Sequence, residues 1–328
     1  MPAYIKYIRF IVPATILLLC NTVLYAQEIK GKVIDAASGK PIAGANIYLN
    51  GTYQGTSSNS EGNFIIHSAE RHIPLIVSYV GYESQTIDDY AGKSLTILLK
   101  RKANELKEVT IGFSAMGREE EMRIFLREFI GTSSHDCSIS NPDDILFKYD
   151  KKARTLKASA DAPLIIYNKK LGYKITYFLS SFTYLPMEVS FQGNYFFTED
   201  TTGLKHGDVK KILKARDKVY YGSRMHFIRS LWANTFDVEN FRVLDKQSNL
   251  LHYNDLITIH NGERLIKYYD YLRIDYENNI TTLEQKSLNR ETMIAENGFY
   301  DPNIMWAGDM GAQRVGEMLP FEFKPLGK

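Results

Sequence analysis

His67 and Glu70 carry the HxxE spacing with which zinc hydrolases present two metal ligands. Zinc catalysis needs a third protein ligand and an open position for water, and two fixed residues match by chance often. The pair falls at the end of a β-prone run, so a strand-end histidine and a solvated glutamate are expected. His135-Asp136-Cys137 offers a thiol beside an imidazole, the pairing that ionises a cysteine near neutral pH, or part of a metal site. It lies in a Ser-rich turn, which favours a structural, half-buried cysteine. Asp143/Asp144 and Asp270/Asp275 supply carboxylate pairs of the kind glycoside hydrolysis uses. The odd spacing of Asp270 and Asp275 sends them to opposite faces of a strand, and solvated carboxylates are expected at both pairs. Gly112-Phe113-Ser114-Ala115-Met116 lacks the second glycine of a nucleophile elbow, and no phosphate-binding GxxxxGK[ST] loop occurs.

Two surface readings remain. Between Lys205 and Arg229 stand eight Lys or Arg against Asp208 and Asp217, with Tyr220 and Tyr221 among them. Such a face could hold an envelope polyanion, but a helix with its apolar side inward and its lysines in water has the same sequence. Trp306, in a Gly-rich segment shared with Arg314, could stack on a sugar ring, although most aromatics in strands are core.

Across 328 residues, 40 Lys and Arg face 38 Asp and Glu, a balance that argues against nucleic acid as a partner. Residues 1–26 read as a signal peptide: Lys6 and Arg9 ahead of the apolar run Phe10–Cys20, then Leu24-Tyr25-Ala26 before Gln27. Pro13, Asn21 and Thr22 keep the run short of a spanning helix, so cleavage is expected rather than a retained anchor. Leu19 stands where a lipoprotein signal wants a small residue before Cys20. Cleavage leaves equal numbers of cationic and anionic side chains and Cys137 as the one thiol, so packing rather than a disulfide must supply stability.

Residues 28–100 alternate short apolar runs with turns. The runs are Ile29–Ile34, Ala45–Leu49, Asn63–His67, Leu75–Tyr79, Glu83–Ile87 and Leu95–Leu99. Between them fall Ser38-Gly39-Lys40-Pro41, Asn50-Gly51, Asn59-Ser60-Glu61-Gly62 and Tyr79-Val80-Gly81-Tyr82. About seven strands in two packed sheets are expected, with Ile47/Leu49 on one face. Gly31-Lys-Val-Ile-Asp35, Ser38-Gly-Lys-Pro-Ile-Ala-Gly-Ala45, Gly51-Thr, Gly55-Thr-Ser, Gly62-Asn-Phe64 and Val77–Tyr82 together resemble the carboxypeptidase-regulatory-like domain, a transthyretin-like sandwich. The resemblance implies a noncatalytic, metal-free, envelope-associated module, of a kind common at the N-termini of exported Gram-negative proteins, TonB-dependent receptors included. It does not extend to a carboxypeptidase catalytic domain.

Residues 101–117 read as a charged linker. The 217 residues after Ile111 lack the many ten-residue alternating segments of a receptor barrel. Arg118–Ile130 instead patterns as an amphipathic helix, with Met122, Phe125, Leu126 and Phe129 on one face, Glu119–Glu121 in the first turn, and Gly131 as its stop. β-runs follow at Ile145–Tyr149, Thr155–Ala160, Leu164–Tyr167, Tyr173–Phe182 and Val189–Phe197. A helical region, Asp208–Phe236, is broken at Gly222-Ser223, where Ser223 can cap. Strands resume at Phe241–Leu244, Leu256–Ile259, Leu265–Tyr276 and Ile280–Gln285. An α+β domain over 118–328 is expected. Phe125–Val243, with Cys137-Ser-Ile-Ser-Asn-Pro142, Leu164–Asn168, Leu171-Gly-Tyr173 and Tyr221–Arg229, resembles a region that follows the regulatory-like module in many exported bacterial proteins and adds no activity.

The reading is therefore an N-terminal all-β sandwich followed by an α+β domain, exported to the periplasm or outer membrane. It is expected to be non-catalytic and to bind or scaffold an envelope protein or polysaccharide without cofactor or metal. A peptide or glycan hydrolase with an unrecognised site in the second domain, and a polysaccharide-binding module, are the alternatives. Convergent polar groups in a deep pocket would mark the first, and an exposed aromatic row the second.

Overall fold

The computed structural model describes residues 27–102, 116–186, 188–267, 271–286 and 291–327. The signal segment with Cys20, most of the linker, the Ser114 motif and Asp270 lie outside the described residues.

Among the described residues seven strands come first: β1 (Gln27–Asp35), β2 (Asn46–Leu49), β3 (Gly55–Ser57), β4 (Asn63–Ser68), β5 (Leu75–Ser78), β6 (Gln85–Ile87) and β7 (Ser94–Leu99). They form two sheets, β4-β1-β7 and β3-β2-β5-β6, so the expected sandwich is present. Period-two alternation sends Ile29, Val33, Ile47, Leu49, Phe64, Ile66, Leu75, Val77, Ile97 and Leu99 into one core. β1 runs parallel to β7, and the backbones come so close at Gly31 that a Cβ there would lie 2.4 Å from the Leu95 carbonyl oxygen. At the end of β1 the buried Asp35 carboxylate accepts from the Tyr82 hydroxyl at 2.6 Å, Arg101 Nε at 3.1 Å and the Ser38 amide at 2.8 Å. These bonds hold its carboxyl far below the usual range, the Tyr82 hydroxyl contributing most.

Two further cores follow. The first is a six-stranded antiparallel sheet of β8 (Cys137–Ile139), β9 (Ile145–Asp150), β10 (Thr155–Ala160), β11 (Leu164–Asn168), β12 (Tyr173–Leu185) and β13 (Glu188–Glu199). β12 is long enough for β11 to pair with its first half and β10 with its second, while β13 covers its other edge throughout. The predicted helix starts on schedule as α1 (Arg118–Phe125), but its last turn, Leu126–Ile130, widens to a π-helix before Gly131, φ 90°, ends it. Its apolar face is the expected one. Phe125 and Phe129 stack at 4.7 Å and meet Phe182 and Tyr177 edge-on.

The second core is roofed by α3 (Arg224–Ala233), whereas α2 (His206–Tyr220) packs Tyr220 against the first; the two helices part at Gly222-Ser223, with Ser223 Oγ accepting the His226 amide at 3.1 Å as the capping residue. Beyond them lie β14 (Phe241–Leu244), the single turn α4 (Tyr253–Leu256), β15 (Ile257–His260), β16 (Glu263–Ile266), β17 (Leu272–Tyr276), β18 (Asn279–Gln285), β19 (Thr292–Ile294) and β20 (Ile304–Gly308). The expected single strand Leu265–Tyr276 is two: β16 joins β15-β16-β19 and β17 joins β14-β17-β18-β20. Gln285 Nε2 donates to the Ile266 carbonyl at 3.1 Å, joining one sheet to the other.

The sandwich is joined to this body along a strand edge. Gly51 N–H donates to the Tyr195 carbonyl at 2.7 Å and Phe197 N–H to the Thr52 carbonyl at 2.8 Å, so the β2–β3 turn is bonded to the outer edge of β13. Asn50 Oδ1 accepts the Tyr195 amide at 2.9 Å. Tyr48 and Ile76 are cross-strand partners on the sandwich's outer face, yet both are buried, because Phe178 and Phe196 cover Tyr48 at 5.4 and 4.8 Å. From the other side, Ala295 and Phe299, just beyond β19, complete the sandwich's own core.

Candidate binding cleft at the junction

A cleft of about 740 Å³ opens where four parts of the chain converge: the loop after β4, α3, the β16/β19 pair, and the C-terminal segment. The Arg229 guanidinium assembles one wall. It donates to the carbonyls of Asn297 at 3.0 Å, Phe323 at 2.8 Å and Phe321 at 3.1 Å, pinning the segment after β19 and the tail to α3. One turn on, Trp232 faces the same cleft, and the Arg264 guanidinium lies 4.1 Å from the centre of its ring, a cation–π stack that holds both planes. Glu70 follows β4 and accepts from Asn297 Nδ2 at 2.5 Å, tying sandwich to body. Glu322 Oε1 accepts the Tyr53 amide at 3.0 Å and Gln54 Nε2 at 3.2 Å, tying tail to sandwich. Burial raises both carboxyls above their ordinary value. Asn297 opposes the shift at Glu70, and the Tyr53 amide opposes it at Glu322.

A second polar cluster sits at the other end of the joint. Arg216, buried on α2, donates to the carbonyls of Leu171 at 2.7 Å and Gly172 at 3.2 Å and to Glu199 at 2.6 Å, with its guanidinium 3.9 Å from the centre of the Tyr173 ring. Glu199 also accepts the Tyr53 hydroxyl at 2.9 Å. Burial pushes the Glu199 carboxyl up, but Arg216, Thr201 and Tyr53 outweigh it and leave it below its ordinary value.

The residues singled out in the sequence are dispersed. His67 is exposed on β4, opposite Glu28, whereas Glu70 turns to Asn297; the glutamate expected in solvent is half-buried instead. Among the described residues no group of three or more His, Cys, Asp or Glu is arranged to hold a metal ion. Cys137 is half-buried on β8, and burial, with Asp136 adding to it, pushes its thiol up to about 12, so it is no nucleophile near neutral pH. Asp143 stands in solvent 3.9 Å from Arg118 Nη2, Asp144 accepts from Asn141, and Asp275 accepts Arg273 Nε at 2.7 Å. In the basic stretch Lys205, Lys210, Lys211, Lys214 and Lys218 are exposed, while Arg216, Arg224 and Arg229 are turned inward and bonded. Trp306 is half-buried on β20 against Phe227 and Tyr300, hence part of a core wall. The cleft residues Trp232, Arg264 and Glu322 carry no local signature, because the elements that bring them together are far apart in the chain. The i, i+3 placement of Arg229 and Trp232 on α3 is the one local hint.

Residues 29–111 match the family described as the CarboxypepD_reg-like domain, so the resemblance expected over 28–100 is borne out. About a third of the chain or less is similar to curated proteins. TonB-dependent receptor P3 of Formosa agariphila is 32% identical over 107 residues, 32% of this chain and 11% of the receptor. TonB-dependent receptor SusC of Bacteroides thetaiotaomicron is 32% identical over 88 residues, 26% of this chain and 8% of the receptor. The chain thus spans about a tenth of the length of the curated relatives it matches. A solved structure from Bacteroides uniformis aligns over 86% of this chain and 98% of its own at 9% identity, but with a TM-score of 0.17 it carries no argument.

Proposed function

We propose that this chain is an exported, envelope-associated protein without catalytic activity, in which the regulatory-like sandwich of residues 28–100 is built into an α+β body of residues 118–328 to form a binding scaffold. The observation that carries this reading is the use made of the reactive side chains. Glu70, Glu199, Arg216, Arg229 and Glu322 are spent on ties between segments, and the Cys137 thiol is held protonated. Groups engaged as struts are poor acids, bases and nucleophiles, because moving them costs the joint. Likeness of about a third of the chain to TonB-dependent receptors supports an outer-membrane or periplasmic setting, with an envelope protein or polysaccharide as partner. Removal of residues 1–26 and a linker at 101–117 belong to the same reading.

N-terminal sequencing of the exported chain should begin at Gln27. Crosslinked capture from native envelope should recover the same partner with wild type and with an exposed-lysine variant on α2, and should lose it when Tyr48→Asp undocks the sandwich. Turnover of peptide or glycan substrates by the purified chain would replace the scaffold reading with the hydrolase.

A further inference from the structure

We infer that a second cleft, beside the Arg216–Glu199 cluster, docks an extended segment of a partner protein, which adds as a strand to β3 and carries a lysine or arginine opposite Glu199. The inference names the partner class of the binding reading above and rests on it. The cleft has a volume of about 530 Å³ and is lined by Gly55–Ser57 of β3 and by Phe196–Glu199 at the end of β13, with Tyr48 and Tyr53 also in its walls. β3 is the terminal strand of its sheet. Leu49 N–H donates to the Gln54 carbonyl at 2.9 Å and Ser58 N–H to the Ala45 carbonyl at 3.0 Å. Antiparallel pairs alternate between bonded and unbonded, so Gly55 and Ser57, set opposite Tyr48 and Asn46, turn their N–H and C=O groups away from β2. Both residues are exposed, and none of these groups bonds to protein among the described residues. Alternating backbone donors and acceptors along a sheet edge are matched by another backbone, which no sugar, ion or apolar molecule reproduces. The joint beside the cleft already works by backbone pairing, since Gly51 and Thr52, just before β3, are bonded to Tyr195 and Phe197. Glu199 sets the charge of the partner. It is the one charged residue among those lining the cleft, and its side chain is 42% exposed. Its carboxylate accepts from Arg216, Thr201 and Tyr53, which leaves open one of about four lone-pair sites for a cationic donor.

The probe is the capped peptide acetyl-Thr-Val-Lys-Val-Thr-amide, titrated into the full-length chain up to about 10 mM and followed by amide NMR and hydrogen exchange. Saturable shifts at Gly55, Ser57 and Glu199 are expected, with slower exchange at the Gly55 and Ser57 amides. Acetyl-Pro-Pro-Lys-Pro-Pro-amide keeps the charge but loses most backbone donors, and acetyl-Thr-Val-Gln-Val-Thr-amide keeps the backbone but loses the charge. Each should bind about threefold or more weakly. Ser57→Pro deletes an outward N–H while sparing the bonds to β2, since proline is accepted at a sheet edge, and should weaken the lysine peptide by a similar factor. Glu199→Gln should erase the preference for lysine over glutamine. Absence of saturable shifts at Gly55 and Ser57 overturns the inference, as does equal binding of the proline peptide, a folded Ser57→Pro chain that binds unchanged, or a lysine preference that survives Glu199→Gln. Protection of the two amides that rises with protein concentration alone makes a second copy the occupant and also overturns it. If Ser57→Pro does not fold, the three peptides on the wild-type chain decide. If the slot fails while partner capture still depends on Tyr48, the scaffold reading stands and only the slot falls.

Discussion

Tyr48 is the side chain on which the union of sandwich and body can be tested with a single substitution. It sits on the outward face of β2, where an isolated sandwich would leave it wet, yet it is fully buried between Phe178 and Phe196. Truncating an enclosed aromatic to alanine costs about 3–5 kcal/mol, of which each lost ring pair supplies about 0.5–1.5 kcal/mol. The joint is braced elsewhere by the Gly51–Tyr195 and Phe197–Thr52 backbone bonds, so Tyr48→Ala is expected near the lower end, about 3 kcal/mol. Tyr48→Phe keeps both ring contacts and should cost less than about 1 kcal/mol, since its hydroxyl makes no hydrogen bond. Both tryptophans lie in the body, so emission follows the body while far-UV circular dichroism follows the whole chain. In urea the two signals should coincide for wild type and separate for Tyr48→Ala, as the sandwich unfolds ahead of its support. A Tyr48→Ala protein that loses less than about 1 kcal/mol and keeps coincident transitions would refute the docking argument.

Three more outcomes follow from the polar ties. Glu322 has its carboxyl raised by burial, so its contribution to stability is complete below its unfolded value near 4.3 and is lost as pH rises through the folded value; Glu322→Gln should gain in Tm relative to wild type between pH 4 and pH 8. Asp35 is the opposite case. Its depressed carboxyl stabilises above about pH 3.9 and loses that effect as pH falls, so the deficit of Asp35→Asn should be full at pH 7 and shrink on acidification. Arg216→Ala strands the Leu171 and Gly172 carbonyls and the Glu199 carboxylate and should cost about 2–3 kcal/mol in urea unfolding, less than a fully enclosed pair loses because Glu199 reaches solvent.

Most strands were legible because alternation and turn chemistry are local. Thr155–Ala160 and Phe241–Leu244 form where the residues say, and Ser223 caps α3 as its type requires. β3 escaped because Gly55-Thr56-Ser57 is too short to show a period. The division between β16 and β17 escaped because both halves are β-prone, so only the sheet each joins distinguishes them. The junction was hidden for a stronger reason. Alternation marks Tyr48 and Ile76 as outward and therefore wet, and nothing near them in the chain announces that Phe178 and Phe196 will cover them. Glu70, Trp232, Arg264, Asn297 and Glu322 meet only once every sheet is in place. The HxxE spacing drew attention to Glu70, but the local pattern left it in solvent, whereas it is half-buried as a strut against Asn297.

That the sandwich is bonded to the body through its β2–β3 turn at the edge of β13 is tested most directly by hydrogen exchange at single amides of the full-length chain. Gly51 and Phe197 donate across the joint, at 2.7 and 2.8 Å. Their amides should exchange as slowly as those inside the β12–β13 ladder, and both should speed up together in Tyr48→Ala. Exchange at these two amides at the rate of exposed loop residues, with the ladder still protected, would contradict the joint.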